Sequence, residues 1–142
     1  MQSLEGQVRI AVDYVRHIGT GGIDEKYLAD DMCAWSISSH WMPRATYWPR
    51  LKHVKAIFTT PLEMTIDTTT AQPGRVVVQA RSRGVLYTGE EYTNHYLFLI
   101  EFNEQGQIRH VREFFDPVRL RTILMPALLK YEEKLKGARE AS

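Results

Sequence analysis

The sequence lacks most of the features that would announce a function at once. It has one cysteine in 142 residues, Cys33, so it can form neither an intrachain disulfide nor a cysteine-based zinc site. Neither charge is in excess: 18 Lys and Arg stand against 17 Asp and Glu, a formal net charge of +1. With no basic stripe, a nucleic-acid partner is not expected. No apolar run approaches the length of a membrane span. The start, Met1-Gln2-Ser3-Leu4-Glu5, has no basic segment leading into an apolar one; no secretory leader is read there, and a cytoplasmic protein is expected. The Gly19-Thr20-Gly21-Gly22 run follows a helical pattern instead of preceding one, so it is a helix stop and not a phosphate cradle. The five histidines show no metal-ligand spacing with supporting groups. The expected chemistry is therefore acid–base chemistry, with no metal and no cofactor.

What is present suits one domain covering residues 1–142, long enough to bury its own core. Leu4, Val8, Ala11, Val15 and Ile18 form one apolar helix face. Asp24 is placed to cap a short second helix reaching Asp30-Asp31. Met32 to Ile37 reads as a strand and Ser38 to Tyr47 as loop. Pro49 suits the first turn of a third helix that carries Leu51, Val54 and Phe58 on its apolar side.

After Pro61 the pattern becomes alternating. Glu63 to Thr70, Arg75 to Gly84, Glu91 to Asn103 and Gln107 to Phe115 read as strands, with turns at Pro73-Gly74 and Glu104-Gln105-Gly106. Asp116 caps a final helix with Pro117 at its first position, and Pro126 is expected to break or kink it. The polar tail from Lys134 to Ser142 is expected to fray. Helices first and long antiparallel strands after them give an α+β class, with a curved sheet closed by helices on one face.

Two segments carry a resemblance. One runs from Val12-Asp13-Tyr14-Val15 through the glycine turn to Leu28-Ala29-Asp30-Asp31-Met32-Cys33-Ala34-Trp35. The other runs from Gly89-Glu90-Glu91-Tyr92-Thr93-Asn94-His95-Tyr96 to Gly106-Gln107-Ile108-Arg109-His110-Val111-Arg112-Glu113-Phe114-Phe115-Asp116. Together they resemble the nuclear transport factor 2-like superfamily and, within it, the SnoaL-like polyketide cyclases. Tyr92 to Pro126 also resembles the phenazine-biosynthesis A/B proteins. The resemblance implies a cone-shaped mixed sheet wrapped by N-terminal helices, a pocket inside the cone, and a homodimer packed through the outer sheet face. The superfamily holds isomerases, cyclases, dehydratases, epoxide hydrolases and non-enzymatic binders, so the fold does not choose among them.

Strand alternation puts Val111, Glu113 and Phe115 on one face. If that face is interior, Glu113 is a desolvated acid suited to proton transfer; with the opposite parity it pairs with an arginine outside. Tyr92, Asn94 and Tyr96 share a face of the preceding strand and either hold a ligand's oxygen or satisfy buried backbone groups. The resemblance adds four points. A glutamate at the place of Glu113 is shared by phenazine-type and cyclase-type relatives. Asn94 falls where ketosteroid-isomerase relatives keep a hydrogen-bond-donating acid, and Tyr14 where they keep an oxyanion-holding tyrosine. Their aspartate base would fall near Ser36, which cannot do that work. His53 falls on the helix that carries a pocket histidine in phenazine-type relatives; read from the residues alone it faces solvent.

Trp35 and Trp41 are either packing residues or walls for a flat ligand. His95, His110, Arg81 and Arg83 belong to the outer face, and Cys33 is a small buried hydrophobe. The combined expectation is a cofactor-independent enzyme of isomerase, cyclase, dehydratase or lyase type. Glu113, Tyr92, Asn94 and His53 would be catalytic, and Tyr14, Trp35, Tyr96, Val111, Phe115 and Trp41 would contact a small cyclic or aromatic carbonyl compound. The alternatives are a non-catalytic binder of an aromatic metabolite and a pure dimerisation module.

Overall fold

Six strands form one mixed sheet in the order β2-β1-β6-β5-β4-β3. In the computed structural model, which describes residues 3–141, these are β1 (Leu28–Ser36), β2 (Ser39–Pro43), β3 (Phe58–Gln72), β4 (Arg75–Leu86), β5 (Glu91–Phe102) and β6 (Ile108–Phe115). Met1, Gln2 and Ser142, which belong to the leader and tail expectations, lie outside the described residues. Neighbouring strands run antiparallel except β1 and β6, which are parallel. The sheet is thus closed in sequence at β6, which pairs with both the first and the fifth strand. Register shifts in β3 near Phe58, Thr60 and Ile66 bend that long strand, as extra residues in one strand do.

The alternation expected of the strands is present. In β4, Val76, Val78, Ala80 and Ser82 are buried while Arg75, Gln79, Arg81 and Arg83 are exposed; in β5, Tyr92, Asn94, Tyr96 and Phe98 are buried while His95 and Leu97 are exposed. Arg81 and Arg83 lie outside and pair with Asp67 at 3.0 Å and Glu91 at 2.7 Å.

Helix α1 (Leu4–Arg16) begins at Ser3, whose hydroxyl accepts the Gly6 N–H. It packs against β3, β4 and β5. Its buried face is not the one expected: Leu4 is exposed, and the buried residues include Gln7, Ile10, Ala11, Tyr14 and Val15. Two polar-tipped residues sit in that face because each finds a partner. The Gln7 side-chain oxygen accepts the Gly74 N–H at 3.0 Å, and the Tyr14 hydroxyl meets that of Tyr47. Gly19 follows the helix where a Cβ would stand 1.9 Å from the Leu62 carbonyl oxygen; only a residue without a side chain allows that approach.

Several local expectations need correction. The second helix shrinks to one 3-10 turn, Glu25–Tyr27, and the strand starts at Leu28. The segment expected as loop forms β2 and the first turn of α2 (Arg44–Ala56), so Pro49 lies inside a helix and not at its start. The last helix is not broken at Pro126. Pro117–Arg119 forms a first turn, α3, held by the Asp116 side chain accepting the Val118 N–H. A π turn over Leu120–Leu124 follows, and α4 runs from Met125 to Ala141. A proline cannot donate to the carbonyl four residues back and crowds it; the wider turn just before Pro126 carries the chain past this defect. The tail is helical to Ala141. Cys33 is half-buried, not buried.

Candidate functional site

Between the concave sheet face, α2 and the π turn with α4 lies a cavity of about 320 Å³, at the small end of the usual range for ligand pockets. Its walls are mostly apolar: Leu51 and Val54 from α2, Leu62 from β3, Phe115 from β6, Leu124 and Leu128 from the C-terminal segment. Of its lining residues, Ser38 and Arg121 are exposed, so the cavity meets solvent between the β1–β2 turn and the π turn.

Glu113 enters this space from β6. Its neighbours across the sheet are Phe98 on β5 and Ser36 on β1. Among the described residues no group hydrogen-bonds to its carboxyl or pairs with it. Desolvation by the surrounding apolar groups raises its pKa from an ordinary 4.5 to about 7, because the charged form loses water and gains no partner. At neutral pH both protonation states are populated.

Three tyrosines line the same cavity: Tyr92 and Tyr96 from β5 and Tyr47 from α2. Burial raises the pKa of each, and the negative charge of Glu113 raises all three further, so the hydroxyls stay protonated and able to donate. The Tyr47 hydroxyl lies 2.6 Å from that of Tyr14. Tyr14 is fully buried and is not a lining residue; it acts on the cavity through Tyr47. When Tyr14 donates to Tyr47, the Tyr47 proton is free for a ligand. Tyr92 accepts a hydrogen bond from the Asn94 amide at 2.8 Å, which leaves its own proton free in the same way. Tyr96 shares a 2.9 Å hydrogen bond with Ser82.

The structure separates the other expected site residues from the cavity. Asn94 uses its whole amide elsewhere: it donates to Tyr92 and to the Asp116 carbonyl, and accepts from the His95 and Asp116 N–H groups at 2.8 and 3.0 Å. It orients Tyr92 and ties β5 to the start of α3, with no capacity left to hold a ligand's oxygen. His53 faces α4, not the cavity: its Nδ1 is 2.7 Å from Glu132 and its ring meets Tyr131 edge-on. Val111 is core and does not line the cavity. Trp35 packs on Phe114, and Trp41 lies beside His110 under the Arg112 guanidinium, which puts both tryptophans on the outer face of the sheet.

Three lining residues escaped sequence reading: Tyr47, Arg50 and Arg121. Tyr47, Leu51 and Val54 extend the apolar stripe of α2 by one turn at steps of four and three, a signal hidden by placing the helix start at Pro49. The Nε of Arg50 is buried and has no hydrogen-bond partner, while its Nη2 is 3.0 Å from Glu132. Among the described residues no cluster of His, Cys, Asp or Glu could hold a metal ion, and no helix is long and apolar enough to cross a membrane.

No protein-family model matches the sequence, and no curated protein matches it. Solved structures do. PrhC from Penicillium brasilianum superposes with a TM-score of 0.73 at 16% identity, over 92% of this chain and 93% of that one. An NTF2-like protein from Anabaena variabilis gives 0.66 at 19% identity, over 82% and 95%. A candidate SnoaL-like polyketide cyclase from Jannaschia gives 0.65 at 17% identity, over 86% and 94%. Likenesses at this level of identity establish architecture, not activity. The chain is folded as a nuclear transport factor 2-like domain of the SnoaL-like form.

Proposed function

We propose that this protein is an enzyme that moves a proton on a small cyclic or aromatic carbonyl compound held in the cavity. The observation that carries the reading is Glu113: an unpaired carboxyl in an apolar hollow, poised near neutrality and surrounded by tyrosine hydroxyls. As a carboxylate it takes a proton from the carbon next to a carbonyl, and the electron pair moves onto the carbonyl oxygen. Tyr47 and Tyr92 are the donors available to that oxygen, Tyr47 backed by Tyr14 and Tyr92 by Asn94. The acid so formed returns its proton to another carbon, which is isomerisation, or to a departing hydroxyl, which is dehydration. Solved neighbours include proteins described as a LEH-like epoxide hydrolase from M. tuberculosis and the epoxide hydrolase/cyclase-like SalBIII, so acid–base work on small molecules is at home in this fold.

The test needs no knowledge of the natural substrate. β-Tetralone in deuterated water should exchange its acidic ring protons faster with the protein than without it. Glu113→Gln should remove most of that acceleration, roughly 10²-fold or more for loss of general base catalysis. Equal exchange by wild type and variant would refute the proposal.

We also propose that two copies pair through the outer sheet face. Trp41, Leu97 and Phe114 are 44%, 43% and 38% exposed there, more apolar surface than a solvated sheet face needs. They stand beside the Glu101–Arg112 ion pair, which offers both signs of charge to a copy of itself. Sedimentation should report a dimer, and Leu97→Lys a monomer; a wild-type monomer at micromolar concentration would remove this proposal.

A further inference from the structure

Two guanidinium groups line the cavity, and the reaction proposed above uses neither. Arg50 projects from α2. Its Nη2 is tied to Glu132 at 3.0 Å, yet its Nε is buried without a partner. A buried donor left unpaired is costly and uncommon in a folded protein. Arg121 lies on the π turn, exposed where the cavity meets solvent, and among the described residues no carboxylate pairs with it. The other titratable groups lining the cavity are Glu113 and Tyr47, Tyr92 and Tyr96. The only carboxyl inside is therefore the proposed proton carrier, and a positive charge at the opening is left without a counterion.

We propose that the substrate carries a carboxylate, taken by Arg121 and the Nε–H of Arg50, while its ring and carbonyl lie inward toward Glu113. Arginine suits this task because its planar, always charged fork donates two directed hydrogen bonds to a carboxylate. Placement near the opening also spares the anion full desolvation, which the apolar interior would penalise. The same arrangement keeps the carboxylate of the ligand away from Glu113, whose charged form would repel it. The ligand is thus a cyclic keto acid, or an aromatic acid with a carbonyl, not a neutral ketone. The inference rests on the proposed proton-transfer reading only for the orientation of the ring; the anion site stands on the two arginines.

The experiment compares β-naphthoate with β-naphthamide, two probes of one shape that differ in charge, by titration calorimetry. Wild type should bind naphthoate about tenfold or more tighter than naphthamide, the gain expected from charge-assisted hydrogen bonds. Arg121→Gln, at an exposed position, should bring the ratio close to one with the fold intact. Arg50→Lys keeps a cation near Glu132 but has no Nε–H, and it should lower the ratio as well. Glu113→Gln should leave the naphthoate preference in place while abolishing exchange of β-tetralone, so failure of the anion site and failure of the proton-transfer reading are separate results. Equal binding of the two probes by wild type, absence of naphthoate binding, or a preference unchanged in Arg121→Gln would each overturn the inference.

Discussion

The hydroxyls of Tyr14 and Tyr47 lie 2.6 Å apart, although the residues are 33 positions apart in the chain and belong to helices on different sides of the cavity wall. Both rings are buried. The contact joins α1 to α2 by a polar link inside an otherwise apolar core, and it sets which hydroxyl proton is available to the cavity. Trp48 packs against both rings, so the pair has little freedom to separate.

Each tyrosine of this pair is the buried partner of the other, which gives a distinct mutational pattern. Tyr14→Phe should cost roughly 1–3 kcal/mol, because the Tyr47 hydroxyl loses its partner in a desolvated site. Tyr47→Phe should cost a similar amount. The double variant should cost clearly less than the two single costs combined, since it leaves no orphaned hydroxyl. Urea denaturation of the four proteins measures the cycle.

The position of Glu113 makes stability depend on pH in a defined direction. Its pKa in the folded protein, about 7, lies above the ordinary 4.5, so the folded state holds the proton more tightly. That contribution is fully present below about pH 4.5 and is lost as pH rises to about 7. Glu113→Gln keeps the shape and cannot ionise. It should match wild type near pH 4.5 and exceed it above pH 7, by on the order of 2 kcal/mol. Denaturation midpoints at the two pH values check this, and a wild type more stable than the variant at pH 8 would contradict it.

Asn94 tests the difference between a ligand-holding and a structural amide. Asn94→Ala strands four hydrogen-bonding partners, among them Tyr92 and both backbone groups of Asp116. It should destabilise the protein by roughly 2–4 kcal/mol. Amide exchange at Asp116 should also rise, which loss of a ligand contact alone would not cause.

Gly19 is the tightest point in the packing of the first helix. A methyl group there would meet the Leu62 carbonyl, a backbone atom that cannot swing aside. Gly19→Ala should cost roughly 3 kcal/mol or more, or prevent folding. Gly74→Ala meets no neighbour and is the matched control: its cost comes only from the left-handed turn that Gly74 occupies, φ 84°, about 1–2 kcal/mol. Thermal denaturation of the two variants ranks them.

The strands were legible because β4, β5 and β6 alternate over eight to twelve residues, and one face of each is charged or polar. Parity alone placed Glu113, Tyr92 and Tyr96 on the inner face and Arg81 and His95 on the outer. Elements governed by prolines and short spans were not legible. The Ser39–Pro43 strand has no alternation to read and ends on a proline that begins the next helix. Pro49 and Pro126 both lie within helical segments where local rules place boundaries; packing against the sheet and, at Pro126, the preceding π turn outweigh those rules. The cavity wall suffered most, because Tyr47, Arg50 and Arg121 come from these segments. Tyr14 and Gln7 were hidden for another reason: a polar tip in a buried stripe is satisfied by a partner distant in sequence, which periodicity cannot reveal.

The most direct measurement is the titration of the Glu113 carboxyl itself, followed by the carbon resonance of selectively labelled glutamate with Glu113→Gln as the assignment control. An apparent pKa near 7 would establish a proton carrier in an apolar hollow. A value in the ordinary carboxylate range, near 4.5, would show that the group is solvated or paired and would remove the basis for proton transfer in this cavity.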